Sequence, residues 1–473
     1  MNLSRCAGLL ALIAACATPR PDAPVALPAA DPARLRVDAA LTQRDPGSFA
    51  LELRLSRAVT RLAFTRPGDG RRLPSLQLIA PAGAALQTSG EGRDELVAPA
   101  PFDRVSLIAR VYRHLPEKDY QPYIALSGGG LLVYTGQYDV GPEDTELRYT
   151  FKPLAGETAV LPGRASQRAI EWSTTAGEGT YAAFGKLTPV DEPALVAVVD
   201  PGMPEWLDRE ARQTLPRLFD LYAKTFGVAL PKRPTVFLSY GDEDVPGSVS
   251  LGGGTLDGLV QLEVRLGEAR RAAFDPAVLK SFRHLLAHEA AHLWNSHWLE
   301  AKGPDWVHEG GAELLAFRAV RELGLSTEAD LLDRLSWSAS ECAMVRGGAE
   351  LGKDAVRARY ACGAVIQAIV SEQAQGGLEA IWARLMVLGA NKAGYDDQTF
   401  YKACAELGTP PERIAASRAL AGTRAGSAQA AVIEALRAAG LTVEVTAAPP
   451  DFARMAARTK HEGAPWLKVA RAR

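Results

Sequence analysis

His284-Leu-Leu-Ala-His288-Glu289-Ala-Ala-His292-Leu-Trp294-Asn295, followed by Asp305-Trp306-Val-His308-Glu309-Gly-Gly-Ala-Glu313, is the stretch on which the rest of the chain turns. The protein has seven histidines, and five of them fall between His284 and His308. Imidazole is the commonest metal-binding side chain, so the crowding calls for a physical reason. On a helix, residues i and i+4 share a face. His288 and His292 can therefore hold one Zn²⁺, with Glu289 beside them as general base toward a zinc-bound water. The helix has a readable start, with Asp275 as N-cap and Pro276 in the first helical position. Val278, Phe282, Leu285, Leu286 and Leu293 give it a packing face.

A catalytic zinc site needs three protein ligands and an open position. The pattern with glycine three residues and histidine six residues past the second ligand fails, because Asn295 and Trp298 stand there. Two carboxylates remain open as the third ligand. One is Asp305. The other is Glu309, separated from His292 by sixteen residues and opening a second helix that runs through Leu314, Leu315, Phe317 and Val320 to Leu323. Glu313 lies one turn further on the same face, suited to accept a hydrogen bond from a ligand histidine. His284 reads as a surface or packing histidine, His308 as a residue bordering the cleft, and His297 has no assigned partner.

Outward from this centre the chain divides. At 473 residues it exceeds one ordinary core. A net charge of −2 gives no case for a nucleic-acid partner. From 35 to 190 the pattern has period two: Phe49, Leu51, Leu53 and Leu55 alternate with polar residues, as do Leu147, Tyr149 and Phe151. This predicts an antiparallel, sandwich-like β domain, in which His114 is an isolated structural residue. From 191 to 325 the reading is mixed α/β: an apolar strand Leu195–Val199, a helix over 205–226 stopped by Gly227, a short strand at 236–238, a Gly-rich loop over 241–254, and a strand over 258–266 that leads into the metal helix. From 326 to 440 Ala-rich amphipathic segments predict a helical subdomain, and 441–473 reads as a solvated basic tail. The fold class expected is α+β and multidomain.

At the N-terminus, Arg5 precedes an apolar run ending Ile13-Ala14-Ala15-Cys16. Residues 1–15 have the parts of a secretory signal, and the run is too short to span a bilayer. The ending resembles a bacterial lipobox, which implies cleavage before Cys16 and lipidation of its sulfur and new amino group. Residues 16–34 carry five prolines, a semi-extended spacer suited to hold a domain off a lipid surface. The expected location is the cell envelope, on the periplasmic face of the outer membrane, with the membrane met through the lipid anchor. Cys342, Cys362 and Cys404 then share an oxidising compartment. Three pairings are open beside three buried thiols, and Cys342–Cys362 closes the shortest loop.

His288-Glu-x-x-His292-x-Trp294-Asn295 with Trp306-x-x-Glu309-Gly-x-Ala312 resembles the gluzincin aminopeptidases, of both the membrane-alanyl and the glycyl type. The motifs cover 288–313 and 360–364; the domain order is similar over roughly 35–410. The resemblance implies a thermolysin-like catalytic domain, Glu309 as third zinc ligand and cleavage of peptide or protein substrates. It also implies that Tyr360, in Tyr360-Ala-Cys362-Gly363-Ala364, supports the tetrahedral intermediate through its hydroxyl; without it, Tyr360 reads as core packing. One motif departs. The edge-strand form Gly-x-Met-Glu-Asn, which grips a substrate's free amino group, is replaced by Leu251-Gly-Gly-Gly254-Thr-Leu-Asp257-Gly258. Its glutamate is missing, and Asp257 is the candidate substitute. Two rival readings are a lipid-anchored binding protein with a vestigial zinc site and a zinc hydrolase of a non-peptide bond; the intact Glu289 argues against the first.

Overall fold

The computed structural model describes residues 34–471, apart from 115–119, 244–246, 269–273, 347–350, 352–355, 391–393 and 423–427. The signal sequence, Cys16 and all but the last residue of the spacer lie outside the described residues. No helix among the described residues is long and apolar enough to cross a membrane.

Alternation of apolar and polar residues builds two N-terminal sheets. The larger has seven strands, centred on the long antiparallel pair Ser48–Ala63 and Asp94–Arg110. Its strand Arg36–Asp45 pairs in parallel with Glu146–Lys152, so the sheet is not antiparallel throughout. The smaller sheet has five antiparallel strands, with Tyr181–Gly185 and Leu131–Tyr134 at its centre. The sheets face each other across Phe49, Phe151 and Phe184, with the Phe49 and Phe184 ring centroids 5.2 Å apart. The second face of the smaller sheet is also apolar. Ile124, Leu132 and Tyr134 pack there against Val196, Val198 and Phe237 of the next domain. Asp200 ties the two together by accepting hydrogen bonds from Ser127 and from the Tyr240 amide.

The next domain holds a five-stranded mixed sheet. Leu195–Val199, Thr235–Asp242 and Leu259–Leu266 are parallel. Val249–Leu256 closes one edge antiparallel to Leu259–Leu266. The last six residues of the glycine-rich segment expected as a loop, 249–254, are thus part of this edge strand. The helix Glu205–Phe226 ends at Gly227, whose φ of 69° is the left-handed cap that favours glycine. The helix Pro276–His292 packs on the same core through Val278, Phe282 and Leu286.

The remainder is mostly helical. Trp306–Glu322 begins three residues before Glu309, and Glu328–Val345 opens with a Thr327/Asp330 capping box. Val356–Ser371 crosses Trp306–Glu322 at backbone contact, because Gly310 meets Gly363 with no side chain between them. A disulfide joins Cys342 to Cys362, with Cα atoms 4.8 Å apart, and Cys404 is a buried thiol. The helical subdomain expected over 326–440 includes Pro411–Gly422, where the sequence marks no separate amphipathic segment. The tail from 441 is also folded, contrary to the solvated end expected. Strands Leu441–Thr446 and Trp466–Arg471 pair around the helix Pro450–Arg458. Leu467 and Val469 donate backbone hydrogen bonds to Ser340 and Ser336 at 2.7 and 2.8 Å, and Trp337 meets Phe452 edge to face at 5.2 Å.

At an open helix position, Gly→Ala stabilises by up to about 1 kcal/mol. At Gly363 the added Cβ would collide with the Trp306 carbonyl oxygen and stand 2.8 Å from Gly310 Cα. Gly363→Ala is therefore expected to lower stability, by roughly 1–3 kcal/mol in denaturant unfolding. A gain in stability would contradict the close crossing.

Candidate metal centre and cleft

The metal helix starts where its cap dictates. The Asp275 carboxylate accepts hydrogen bonds from the Ala277 and Val278 amides at 2.9 and 3.2 Å, and Pro276 sits at the first turn. With that register fixed, His284, His288 and His292 recur one turn apart along one stripe. Opposite them, Glu309 and Glu313 are one turn apart on Trp306–Glu322. The two helices run in opposite directions, because His292 meets Glu309 while His284 meets Glu313.

At the centre, His288 Nε2 and His292 Nε2 are 3.1 Å apart. Glu309 Oε2 lies 3.6 Å from the first and 3.2 Å from the second. These are three electron-donating atoms, and Glu309 Oε2 is buried with no hydrogen-bond donor. Such a group favours a positive charge among its three atoms. Burial opposes the Glu309 charge, but the two imidazoles outweigh it and hold the carboxyl well below the usual range. Burial likewise opposes charge on His288, and Glu309 with Glu313 outweighs it, pushing the ring up to about 10. The donor set of two imidazoles and a carboxylate fits Zn²⁺, with His288, His292 and Glu309 as holders.

The ligands are held from behind. Helix Pro276–His292 does not stop at His292 but widens into a π turn, Leu293–Trp298. Asn295 on that turn is fully buried. Its Oδ1 lies 2.9 Å from His292 Nδ1, and its Nδ2 donates to the His308 carbonyl at 2.9 Å. Glu313 Oε2 lies 3.1 Å from His288 Nδ1. His292 thus has an oxygen to receive the proton of its Nδ1, and the Glu313 carboxylate stands at ion-pair distance from His288 Nδ1, with both Nε2 atoms turned toward Glu309.

Glu289 is 7% exposed, at one wall of a cleft of about 530 Å³. The Thr255 hydroxyl lies 3.0 Å from Glu289 Oε2 and 2.9 Å from its carbonyl oxygen. The Thr255 carbonyl accepts in turn from the Tyr120 hydroxyl at 2.8 Å and from His297 Nε2 at 2.7 Å. Burial pushes His297 down to about 4, so the ring is neutral and donates. Gly253 presses on the same carboxylate side chain: a Cβ there would be 3.1 Å from Glu289 Cγ. Tyr360 lines the cleft and stacks on the His288 ring, with centroids 5.7 Å apart and planes 24° apart. Burial and the charges of Glu309 and Glu289 hold its hydroxyl protonated.

The structure brings His288, Glu289, His292, Glu309, Glu313 and Tyr360 together. It does not bring in two other candidates. Asp305 is turned away and pairs with Arg359. Asp257 lies in the exposed turn after the edge strand, pairs with Lys232 at 3.2 Å and does not line the cleft. The substrate-binding role expected of it is corrected accordingly. The acidic residue that reaches the cleft near the edge strand is Glu263, opposite Gly252. Its two oxygens are met by Gln121 Nε2 at 2.6 Å and by Arg265 at 2.7 Å. The sequence reading also missed the roles of Thr255, Asn295 and His284. A signal existed for Asn295, three residues past a ligand on the same helical path; none existed for Thr255, which depends on how the edge strand lies against the helix.

No family model and no curated protein matches the chain. Solved structures do. An aminopeptidase N family protein from Idiomarina loihiensis superposes with a TM-score of 0.64 at 14% identity, over 87% of this chain and 79% of that one. Yeast LTA4 hydrolase superposes with a TM-score of 0.51 at 12% identity, over 83% and 68%. An M1 zinc metallopeptidase from Deinococcus radiodurans matches at a TM-score of 0.48 and 14% identity, over 83% and 94%. At these identities the likeness establishes the fold: an N-terminal β region, a mixed-sheet domain and a helical C-terminal region, arranged as in the aminopeptidase N and LTA4 hydrolase structures.

Proposed function

We propose that the protein is a zinc-dependent metallopeptidase. The observation that carries this reading is the convergence of His288, His292 and the donor-free Glu309 Oε2, with Glu289 next in sequence to a ligand and facing an open cleft. Bound there, Zn²⁺ would supply Lewis-acid polarisation of a carbonyl and of water. Glu289 takes the proton of the attacking water and passes it to the leaving amine, a transfer that contributes typically about 10²–10⁴-fold. Thr255 holds the accepting carboxylate in place. The Tyr360 hydroxyl donates to the oxygen that gains charge, and one such donor is worth about 3–4 kcal/mol.

Within this class we read the enzyme as an aminopeptidase. That specificity requires an anionic group for the substrate ammonium, and Glu263, backed by Gln121, is the cleft carboxylate we assign to it. Arg265 already offsets part of its charge, so its effect is expected to be modest. The same reading places the enzyme in the cell envelope, lipid-anchored through Cys16, and the Cys342–Cys362 disulfide is in keeping with an oxidising compartment.

Incubation of the zinc-loaded protein with free and N-acetylated peptides, with and without chelator, tests the function. Chelator-sensitive release of N-terminal residues is expected; internal cleavage would make it an endopeptidase, and no cleavage with zinc bound would contradict peptidase activity. Glu289→Gln is expected to retain zinc and lose at least about 10²-fold in kcat; full turnover would remove the general-base role. Glu309→Ala is expected to lose bound zinc, measured by metal analysis after dialysis, while Asp305→Ala keeps it; the reverse result would make Asp305 the ligand. Glu263→Gln is expected to raise KM by about 10-fold, roughly 1.4 kcal/mol, for free peptides and not for acetylated ones. Equal effects on both would remove Glu263 from amine recognition.

A further inference from the structure

We propose that His284 is a positioning residue for the metal centre: its ring donates to Glu313, and Glu313 so held fixes the His288 ring with Nε2 toward the cation. The inference rests on the metal site of the preceding section and extends it one helical turn.

The geometry is a ladder. Three imidazoles on one helix alternate with two carboxylates on the other, in the order His292, Glu309, His288, Glu313, His284. His284 Nε2 is hydrogen-bonded to Glu313 Oε2 at 3.0 Å. His288 Nδ1 reaches the same oxygen at 3.1 Å. A carboxylate only accepts, so His284 presents its Nε2 proton to Glu313, and His288 Nδ1, with no other partner among the described residues, turns its edge to the same oxygen. For His288 this decides the tautomer: with the proton on Nδ1, the Nε2 lone pair faces His292 and Glu309.

Glu313 cannot do this alone. A carboxylate on a long side chain has several rotamers, and the His288 contact is a single point. His284 supplies the second point on the same oxygen. The His284 ring is itself clamped by Phe317, one turn beyond Glu313, with centroids 4.7 Å apart. Its Nδ1 is buried with no partner among the described residues, as is the Ser326 hydroxyl. Both residues line a small, partly open pocket of about 20 Å³, room for one bridging water. The ring is thus held by Phe317 on its face and by Glu313 at Nε2.

Three variants test the proposal: His284→Leu, which keeps bulk and removes the donor, His284→Gln, which keeps a donor, and His284→Ala as a smaller truncation should leucine prevent folding. Zinc affinity is measured by competition with a chromophoric chelator, and ligand geometry by the visible spectrum of the Co²⁺-substituted protein. Outer partners of ligand histidines typically contribute about 10–100-fold in metal affinity. His284 acts through Glu313, so a loss of about 10-fold is expected for His284→Leu and His284→Ala, with a shifted Co²⁺ spectrum, and near-wild-type values for His284→Gln. Wild-type affinity and spectrum in His284→Leu or His284→Ala, or a loss in His284→Gln equal to theirs, would overturn the proposal. Failure of the wild-type protein to bind either metal would instead overturn the metal site on which it rests.

Discussion

Five ionisable side chains, buried or half-buried between two antiparallel helices, set the constraint that the remaining structure satisfies. Glu309 and Glu313 are ionised in spite of burial, and Glu289 lies beside them. Burying unpaired carboxylates costs several kcal/mol each, and the facing imidazoles hold both carboxyls low. A divalent cation at His288, His292 and Glu309, as proposed, would balance the rest of that charge. Arg334, largely buried and attracted by Glu313, balances the far end of the ladder. The facing side chains of the two helices would share one cation, with Asn295, Glu313 and His284 behind its ligands.

Each neighbouring element brings one part of the chemistry to this seam. The edge strand Val249–Leu256 lies against Glu289 because Gly253 leaves room, and Thr255 bonds to the carboxylate it touches. The helix Val356–Ser371 carries Tyr360 onto the His288 ring because Gly310 and Gly363 allow backbone contact. The disulfide at Cys362, two residues beyond Tyr360, anchors that helix to Glu328–Val345. The N-terminal β region contributes Tyr120 and Gln121, just before the strand Tyr123–Ala125, over the cleft, so it is part of the site as well as its support. Position, charge and access are supplied by four separate elements, and each meets the metal helix directly or through one residue.

Local signals carried most of what was legible in the sequence. Asp275-Pro276 fixed a helix start, and a fixed start turns the His spacing into a face. Gly227 ended a helix where its left-handed conformation required. Glu309 stood open beside Asp305 until the family resemblance favoured it, and only the fold shows Asp305 bound to Arg359. What stayed hidden depends on contacts distant in sequence. The helix Pro411–Gly422 buries Arg413, Ser417 and Leu420, so its inner face shows little apolar period. The C-terminal hairpin reads as a basic tail because its order comes from Ser336, Ser340 and Trp337 on another helix. Asp257 looked like a substitute for a missing glutamate by position in sequence, yet a turn sends it to Lys232, while Glu263 enters the cleft from the adjacent strand. His284 could be placed on the metal face but not joined to Glu313, since that link needs the direction of the second helix.

The most direct test of this arrangement is anomalous diffraction at the zinc edge from crystals of the zinc-loaded protein. The expected result is a peak bounded by His288 Nε2, His292 Nε2 and Glu309 Oε2, with His284 and Glu313 still bonded behind His288. A peak among His284, His288 and Glu313, or no peak between the two helices at all, would contradict it.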